Sequence, residues 1–250
     1  MKTVLVVGLG EVGRAIAELV GSQKEKFKIY RKDFEPLLVN EKIDVMHICL
    51  PFTEKFVDDV VKYINLYRPA LTIINSTVRP KTTQKIFNIT KAPIVHSPVR
   101  GSHPQLKEGI LRFVKFIGPV DIEAGKIAKQ HFEELGVKAE IMSSPVETEV
   151  GKLLCTSYYG VNIAFHQEMD RICDCYGADF KQAVTRFNET CTMDKDHKVP
   201  RPIMYPGFIG GHCVIPNIYL LKTDIKSDFL DTILHSNELT RKKLGIKNKE

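Results

Sequence analysis

Short apolar runs alternate with segments of helical periodicity through the first 144 residues, and then the alternation stops. The runs are "KTVLVV" at the start, "KFKIY" ending at Tyr30, "IDVMHICLP" (43–51), "ALTIINST" (70–77), "APIVHSP", "FVKFIG" and "VKAEIM". Runs this short, apolar on both faces and separated by helical stretches such as the one from Glu54, predict a parallel, doubly wound α/β sheet. From Pro145 the pattern is helical instead. "VETEVGKLLCTSYYGVNIAFHQEMDRICDCYGADFKQAVTRF" reads as one long helix ended by Gly177, with a second beginning at Ala178 and Asp179. The chain therefore divides into a sheet domain, 1–144, and a smaller all-helical domain, 145–250.

The first strand runs into Gly8-Leu9-Gly10-Glu11-Val12-Gly13, and helical spacing follows through Ile16, Leu19 and Val20. A GxGxxG run between a strand and a helix suits a dinucleotide. Gly8 permits the turn, Gly10 lets backbone approach the pyrophosphate, Gly13 lets helix and strand pack closely, and the helix N-terminus faces the anion. The sheet domain is accordingly of Rossmann type, with ligand expected at the strand ends near Leu50, Pro51, Ser76 and Thr77. The choice of cofactor stays open at NAD or NADP. The second strand ends in "IYRKD", where Asp33 suits ribose hydroxyls, whereas Arg31 and Lys32 suit a 2′-phosphate.

Composition narrows the class. With 43% apolar residues among 250 the chain can bury a real core, and a formal charge of +6 spread along the sequence calls for no nucleic acid. No apolar run reaches the ~18 residues of a membrane span. The six cysteines form no CxxC pair, as expected of reduced thiols in a cytoplasmic protein. Cys173 and Cys175 point different ways on a helix, and His96 and His103 have no third ligand at suitable spacing, so no metal is expected.

"PGFIGGHC" (206–213) places a cysteine directly after dense glycine, either an incidental loop thiol or one presented to a substrate. A family resemblance bears on that choice. "GLGEVG", "HICLPFT", "INSTVRPKTT", "ETEVGKLL" with "NIAFHQEMDRICDCYGAD", and "PGFIGGHCVIPNIYLL" occur in the order found in the UDP-glucose/GDP-mannose dehydrogenases. The chain resembles that family, within the wider 6-phosphogluconate and β-hydroxyacid dehydrogenase group. The resemblance implies that Cys213 is the nucleophile, holding an aldehyde as a thiohemiacetal that is oxidised to a thioester. It implies that Lys152 holds or activates the reacting oxygen, that Thr77 lies near the nicotinamide, and that Gly210, Gly211, His212, Thr156 and Asn217 line the substrate. It also implies a homodimer built on the long central helix.

Three positions depart from the family pattern. Val99 stands where the family has a glutamate, Thr156 an asparagine and Asn217 an aspartate; the changes at Val99 and Asn217 remove two bases that thioester hydrolysis would use. "SPVRGSHPQLKEGILRFVKFIG" is closer to the β-hydroxyacid dehydrogenases, in which Arg100, Gly101 and Ser102 would hold an anionic substrate. The chain also stops about where the family's third, nucleotide-binding domain would begin. Three functions follow: oxidation of an alcohol on a sugar nucleotide or sugar-derived substrate, with covalent Cys213; one-step oxidation of a small anionic substrate through Lys152; or cofactor binding without catalysis.

Overall fold

The computed structural model describes residues 1–33, 37, 39–101, 104–193 and 200–247. They form two compact units, Met1–Lys152 and Leu153–Glu250.

In the first unit β1 (Lys2–Val7), β2 (Phe27–Lys32), β3 (Val45–Ile48), β4 (Leu71–Ile74), β5 (Ile94–His96), β6 (Lys115–Pro119) and β7 (Ala139–Ile141) make one sheet in the order β2-β1-β3-β4-β5-β6-β7. Alternate residues serve its two faces. Val4, Val6, Val45, Leu71, Ile73 and Val95 pack with α1 (Glu11–Gly21), α4 (Leu106–Arg112) and α5 (Ile122–Glu134). Leu5, Val7, Met46, Ile48, Ile74 and Ile94 meet α2 (Phe56–Tyr67) and α3 (Thr82–Thr90) on the other face. Burying one such side chain stabilises by about 1.5–3 kcal/mol.

The sheet is parallel except at β6, which pairs antiparallel with β5. The doubly wound, mostly parallel sheet expected from the sequence is present, with one antiparallel pairing. The segment between them contains only α4, seven residues and about 10 Å long. The chain re-enters the sheet near the end where it left, as an antiparallel pair requires. The second strand also runs to Lys32, past the stop expected near Tyr30.

Helix α6 (Pro145–Tyr176) crosses from one unit to the other, so the division falls inside it rather than at the 144/145 boundary read from the sequence. Its first turns belong to the sheet unit: Thr148 meets His96 (2.8 Å), and Glu149 accepts from Lys81 and Thr83. The regular structure in the described part of the second unit is all helical. Gly177, with φ +66°, turns the chain out of α6, and the Ala178 N–H closes the helix end on the Cys173 carbonyl at 2.9 Å. A π-helical turn (Lys181–Thr185) leads into α7 (Arg186–Met193); α8 (Val214–Lys222) and α9 (Asp228–Lys243) follow. Leu153, Ala164, Ile209, Ile218, Leu221, Leu230 and Ile233 form this unit's core. Among the described residues no helix is long and apolar enough to cross a membrane.

Candidate active site

The glycine loop leaves β1 at Gly8, whose φ of +87° favours glycine and whose N–H donates to the Lys32 carbonyl at 2.8 Å. A Cβ on Gly8 would stand 2.7 Å from the Cys49 carbonyl oxygen, and one on Gly13 would stand 1.7 Å from the Gly8 oxygen. On Gly10 it would meet nothing within 4 Å. The loop is thus braced against β3 on its inner side and open on its outer side. Gly10 caps α1 with no side-chain hydrogen bond to the first turn, where Glu11 is exposed and Val12 packs on the core. Backbone N–H groups at such an end suit an anion.

The two candidates for the ribose end separate in space. Asp33, directly after β2, accepts the Leu9 N–H at 3.3 Å and so stands at the rim of the glycine loop. A Cβ on Gly21 would lie 3.3 Å from an Arg31 guanidinium nitrogen, which puts the Arg31 head at the far, C-terminal end of α1. Lys32 is buried, with its ammonium over the Tyr63 ring at 5.5 Å.

The strand ends are tied to one another. Leu50 lies beside Gly8, and the Ser76 hydroxyl donates to the Leu50 carbonyl at 2.6 Å; Pro51 is exposed and Thr77 half-buried. His96 meets the Ser76 carbonyl through Nε2 (3.0 Å), which makes that nitrogen the donor and leaves Nδ1 to accept from Thr148. Burial pushes the His96 pKa down to about 3, so the ring is neutral. Beneath them a buried polar chain threads the sheet. The Lys115 ammonium donates to the Ser97 carbonyl (2.5 Å) and to Asn75 Oδ1 (3.3 Å). The Asn75 amide meets His47 Nδ1 at 3.0 Å, and His47 meets His131 at 2.9 Å.

Lys152 closes the first unit and donates to the Val99 carbonyl at 2.9 Å. At Val99 it is the backbone oxygen, not the buried side chain, that engages the lysine. One turn earlier, Glu149 accepts from the Lys81 N–H (2.6 Å), the Thr83 N–H (2.9 Å) and the Thr83 hydroxyl (2.7 Å). It caps α3, which lacks a side-chain cap of its own, and burial raises its pKa despite these donors. Sequence reasoning left this residue out of the site; the Glu-x-x-Lys spacing was the signal for it. The Arg100 guanidinium lies over the Phe113 and Phe116 rings at 4.9 and 5.5 Å. Gly101 follows it, exposed, with φ +151°. Ser102 and His103 lie outside the described residues.

In the second unit Cys213 is the exposed N-cap of α8, reached through exposed Gly210, Gly211 (φ +77°) and His212. The positive end of a helix stabilises negative charge gathered there. Asn217, on the first turns of α8, donates to the Thr156 hydroxyl of α6 at 2.9 Å, so these two expected substrate residues bond to each other.

Residues 146–238, which include Lys152 and Cys213, match the model of the UDP-glucose/GDP-mannose dehydrogenase family, central domain. The UDP-N-acetyl-D-mannosamine dehydrogenase of Methanococcus vannielii is 28% identical over 264 aligned positions, covering 86% of this chain and 60% of that protein. This chain thus spans about 60% of that relative's length. Among solved structures, the UDP-D-ManNAc dehydrogenase of Pyrococcus horikoshii superposes with a TM-score of 0.81 at 18% identity, covering 97% of this chain and 70% of that one. The 3-hydroxyisobutyrate dehydrogenase of Mycobacterium tuberculosis gives 0.71 at 16% identity, covering 98% and 94%. The likeness to these structures shows the fold, a Rossmann-type sheet with a following helical unit. Over residues 146–238 the chain is thus similar to the central domain of the UDP-glucose/GDP-mannose dehydrogenase family, and over most of its length to UDP-N-acetyl-D-mannosamine dehydrogenases.

Proposed function

We propose that this chain is an NAD-dependent dehydrogenase that oxidises an alcohol of a sugar nucleotide of the UDP-N-acetylhexosamine class. The observation that carries the reading is the glycine loop: closed on its inner face, open above Gly10, with an uncapped helix end and Asp33 at its rim. Those groups fit a pyrophosphate and an unphosphorylated ribose. Arg31, the residue suited to NADP, points to the other end of α1.

Bound NAD supplies the hydride acceptor. The chain's own residues do the rest. The Lys152 side chain, oriented by the Val99 carbonyl, holds the reacting oxygen, and as the neutral amine its Nζ takes up the hydroxyl proton, becoming the ammonium, as the alcohol is oxidised. Cys213 Sγ then bonds the aldehyde carbon, and the thiol proton leaves to the aldehyde oxygen. The thiohemiacetal carbon then gives its hydride to a second NAD as its hydroxyl proton is lost, leaving a thioester at Sγ; water cleaves the carbon–sulfur bond, giving the carboxylate and a proton and restoring the thiol. The helix end at Cys213 favours the charge that gathers during both steps.

Two positions favour a second reading, a single two-electron oxidation. The Val99 side chain carries no proton, and the Asn217 amide is engaged with Thr156, so neither acts as a base for hydrolysis. Cys213→Ser separates the two. In the covalent reading, carboxylate formation from UDP-N-acetylmannosamine with NAD falls by about 10³-fold or more; in the one-step reading, turnover is unchanged. Melting shifts with NAD, NADP and UDP test the sites themselves, since a ligand of the folded state raises the midpoint. NAD binding without turnover of either a UDP-sugar or a 3-hydroxy acid selects the non-catalytic reading.

The proposal includes a homodimer through α6. Leu154, Tyr158, Phe165, Ile172 and Tyr176 lie on one face of that helix, and each is about half exposed or more. An apolar stripe this long calls for a partner, and a second copy of α6 supplies a matching one. Sedimentation at micromolar concentration is expected to show a dimer, and Phe165→Glu a monomer. A wild-type chain that sediments only as a monomer excludes the arrangement.

A further inference from the structure

The run leading to Cys213 is held by side-chain amides. The Asn237 amide on α9 pairs with both backbone groups of Ile209: Oδ1 accepts the Ile209 N–H at 2.7 Å, and Nδ2 donates to the Ile209 carbonyl at 3.1 Å. Gln167 on α6 donates to the Gly207 carbonyl at 2.7 Å and reaches Asn237 Oδ1 at 3.3 Å. Ser236 donates to Gln167 Oε1 at 2.9 Å, which fixes the direction of that amide. All three side chains are buried against this unit's apolar core.

Buried amides are costly in such a place unless every polar atom is paired. Here they are matched to backbone that no helix serves. The chain must leave helical geometry to form the turn at Gly210 and Gly211, and an apolar side chain at 167 or 237 would strand the groups of Gly207 and Ile209. Beyond Ile209 only residues 210–213 remain before α8, which is anchored by Ile218, Leu221 and the Asn217–Thr156 bond. The thiol therefore stands on a four-residue span fixed at both ends.

We propose that Gln167 and Asn237 are positioning residues: they hold the 207–209 backbone so that the Cys213 thiol stands at one place relative to α8. The inference rests on the reading of Cys213 as the reacting group, and the test separates the two. In the wild-type protein the Ile209 amide should exchange hydrogen at least about 100-fold more slowly than the amides of 211–213, as expected of a buried, paired N–H. Gln167→Met and Asn237→Asp each remove one donor at similar volume. Each should speed exchange in 208–213 by about tenfold or more and lower kcat, with NAD affinity unchanged. In a Cys213→Ser background neither should lower kcat further, because both act through the thiol. An unprotected Ile209 amide in the wild type, or variants with wild-type exchange or wild-type kcat, overturns the proposal. If Cys213→Ser alone has full turnover, the covalent reading fails, and the exchange data then decide the clamp by themselves.

Discussion

Lys115→Met is expected to stabilise the sheet unit at pH 7 by about 2 kcal/mol and to flatten its dependence on alkaline pH. Lys115 shares its face of β6 with the core residue Ile117, and its ammonium sits 5.3 Å from the Phe132 ring centroid. Among the described residues no carboxylate pairs with it. Its partners are the Ser97 carbonyl and the Asn75 side chain. Burial pushes its pKa down to about 7 from the ordinary 10.5. Between those values the unfolded chain holds a proton that the fold refuses, so stability rises with pH from about 7 to 10.5. Below pH 7 the fold carries the whole cost, about 5 kcal/mol for a shift of that size. Methionine removes this cost and keeps the packing against Phe132. It leaves the Ser97 carbonyl and Asn75 short of a donor, which returns about 1–3 kcal/mol.

The measurement is the unfolding midpoint of wild type and variant from pH 6 to 10. The variant should melt about 5 °C higher at pH 7; the difference should fall as pH rises and reverse by pH 10, where the wild type has shed most of the cost and the variant still lacks the donor. Parallel curves would show that Lys115 is not the group responsible. The acid limb has another source: His47, His96 and His131 are buried, and burial lowers all three pKa values. The unfolded chain takes up protons as pH falls through about 6.5 while the fold does not, so both proteins lose stability there.

The second large effect concerns the glycine loop, where two similar substitutions should act in opposite ways. Gly13→Ala sets a methyl group 1.7 Å from the Gly8 oxygen, a contact that only displacement of α1 from β1 relieves. Loss of the folded sheet unit, or destabilisation by about 4 kcal/mol or more, is expected. Gly10→Ala meets no atom within 4 Å, and the backbone there, at φ −67° and ψ −166°, is open to alanine. Its melting midpoint without ligand should match the wild type. Its methyl group, however, fills the space through which the pyrophosphate would approach the helix end, so NAD affinity should fall by about tenfold or more. Titration calorimetry on the folded Gly10→Ala protein decides it. Wild-type affinity would mean that the cofactor does not lie over Gly10.

Val99, Thr156 and Asn217, the three positions that depart from the resembled pattern, all make hydrogen bonds in the fold. The Val99 carbonyl orients Lys152, and the Thr156–Asn217 bond ties α6 to α8 next to the thiol.

Local pattern carried much of the fold. The seven strands, the glycine loop, the end of α6 at Gly177 and the helical character after residue 145 were all readable, because strand and helix periods and turn residues act over a few neighbours. The placement of Gly8 and Gly13 followed from spacing alone, since the contacts that require them lie within the same strand–turn–helix unit or on the adjoining strand. Pairing over long separations was not readable. The antiparallel pairing of β6 with β5 was not marked by any local pattern, and the choice between Arg31 and Asp33 depends on where each side chain's head comes to rest, beside Gly21 or on the Leu9 N–H. Single polar letters inside apolar runs, such as His47, Asn75 and Lys115, give no sign that they will meet one another, and neither do Gln167 and Asn237, seventy positions apart. Local geometry was determined by the sequence itself. Which buried donor found which acceptor was decided only when the sheet and the helices closed around them, because a hydrogen bond between distant residues depends on distance and direction that only the packed fold supplies.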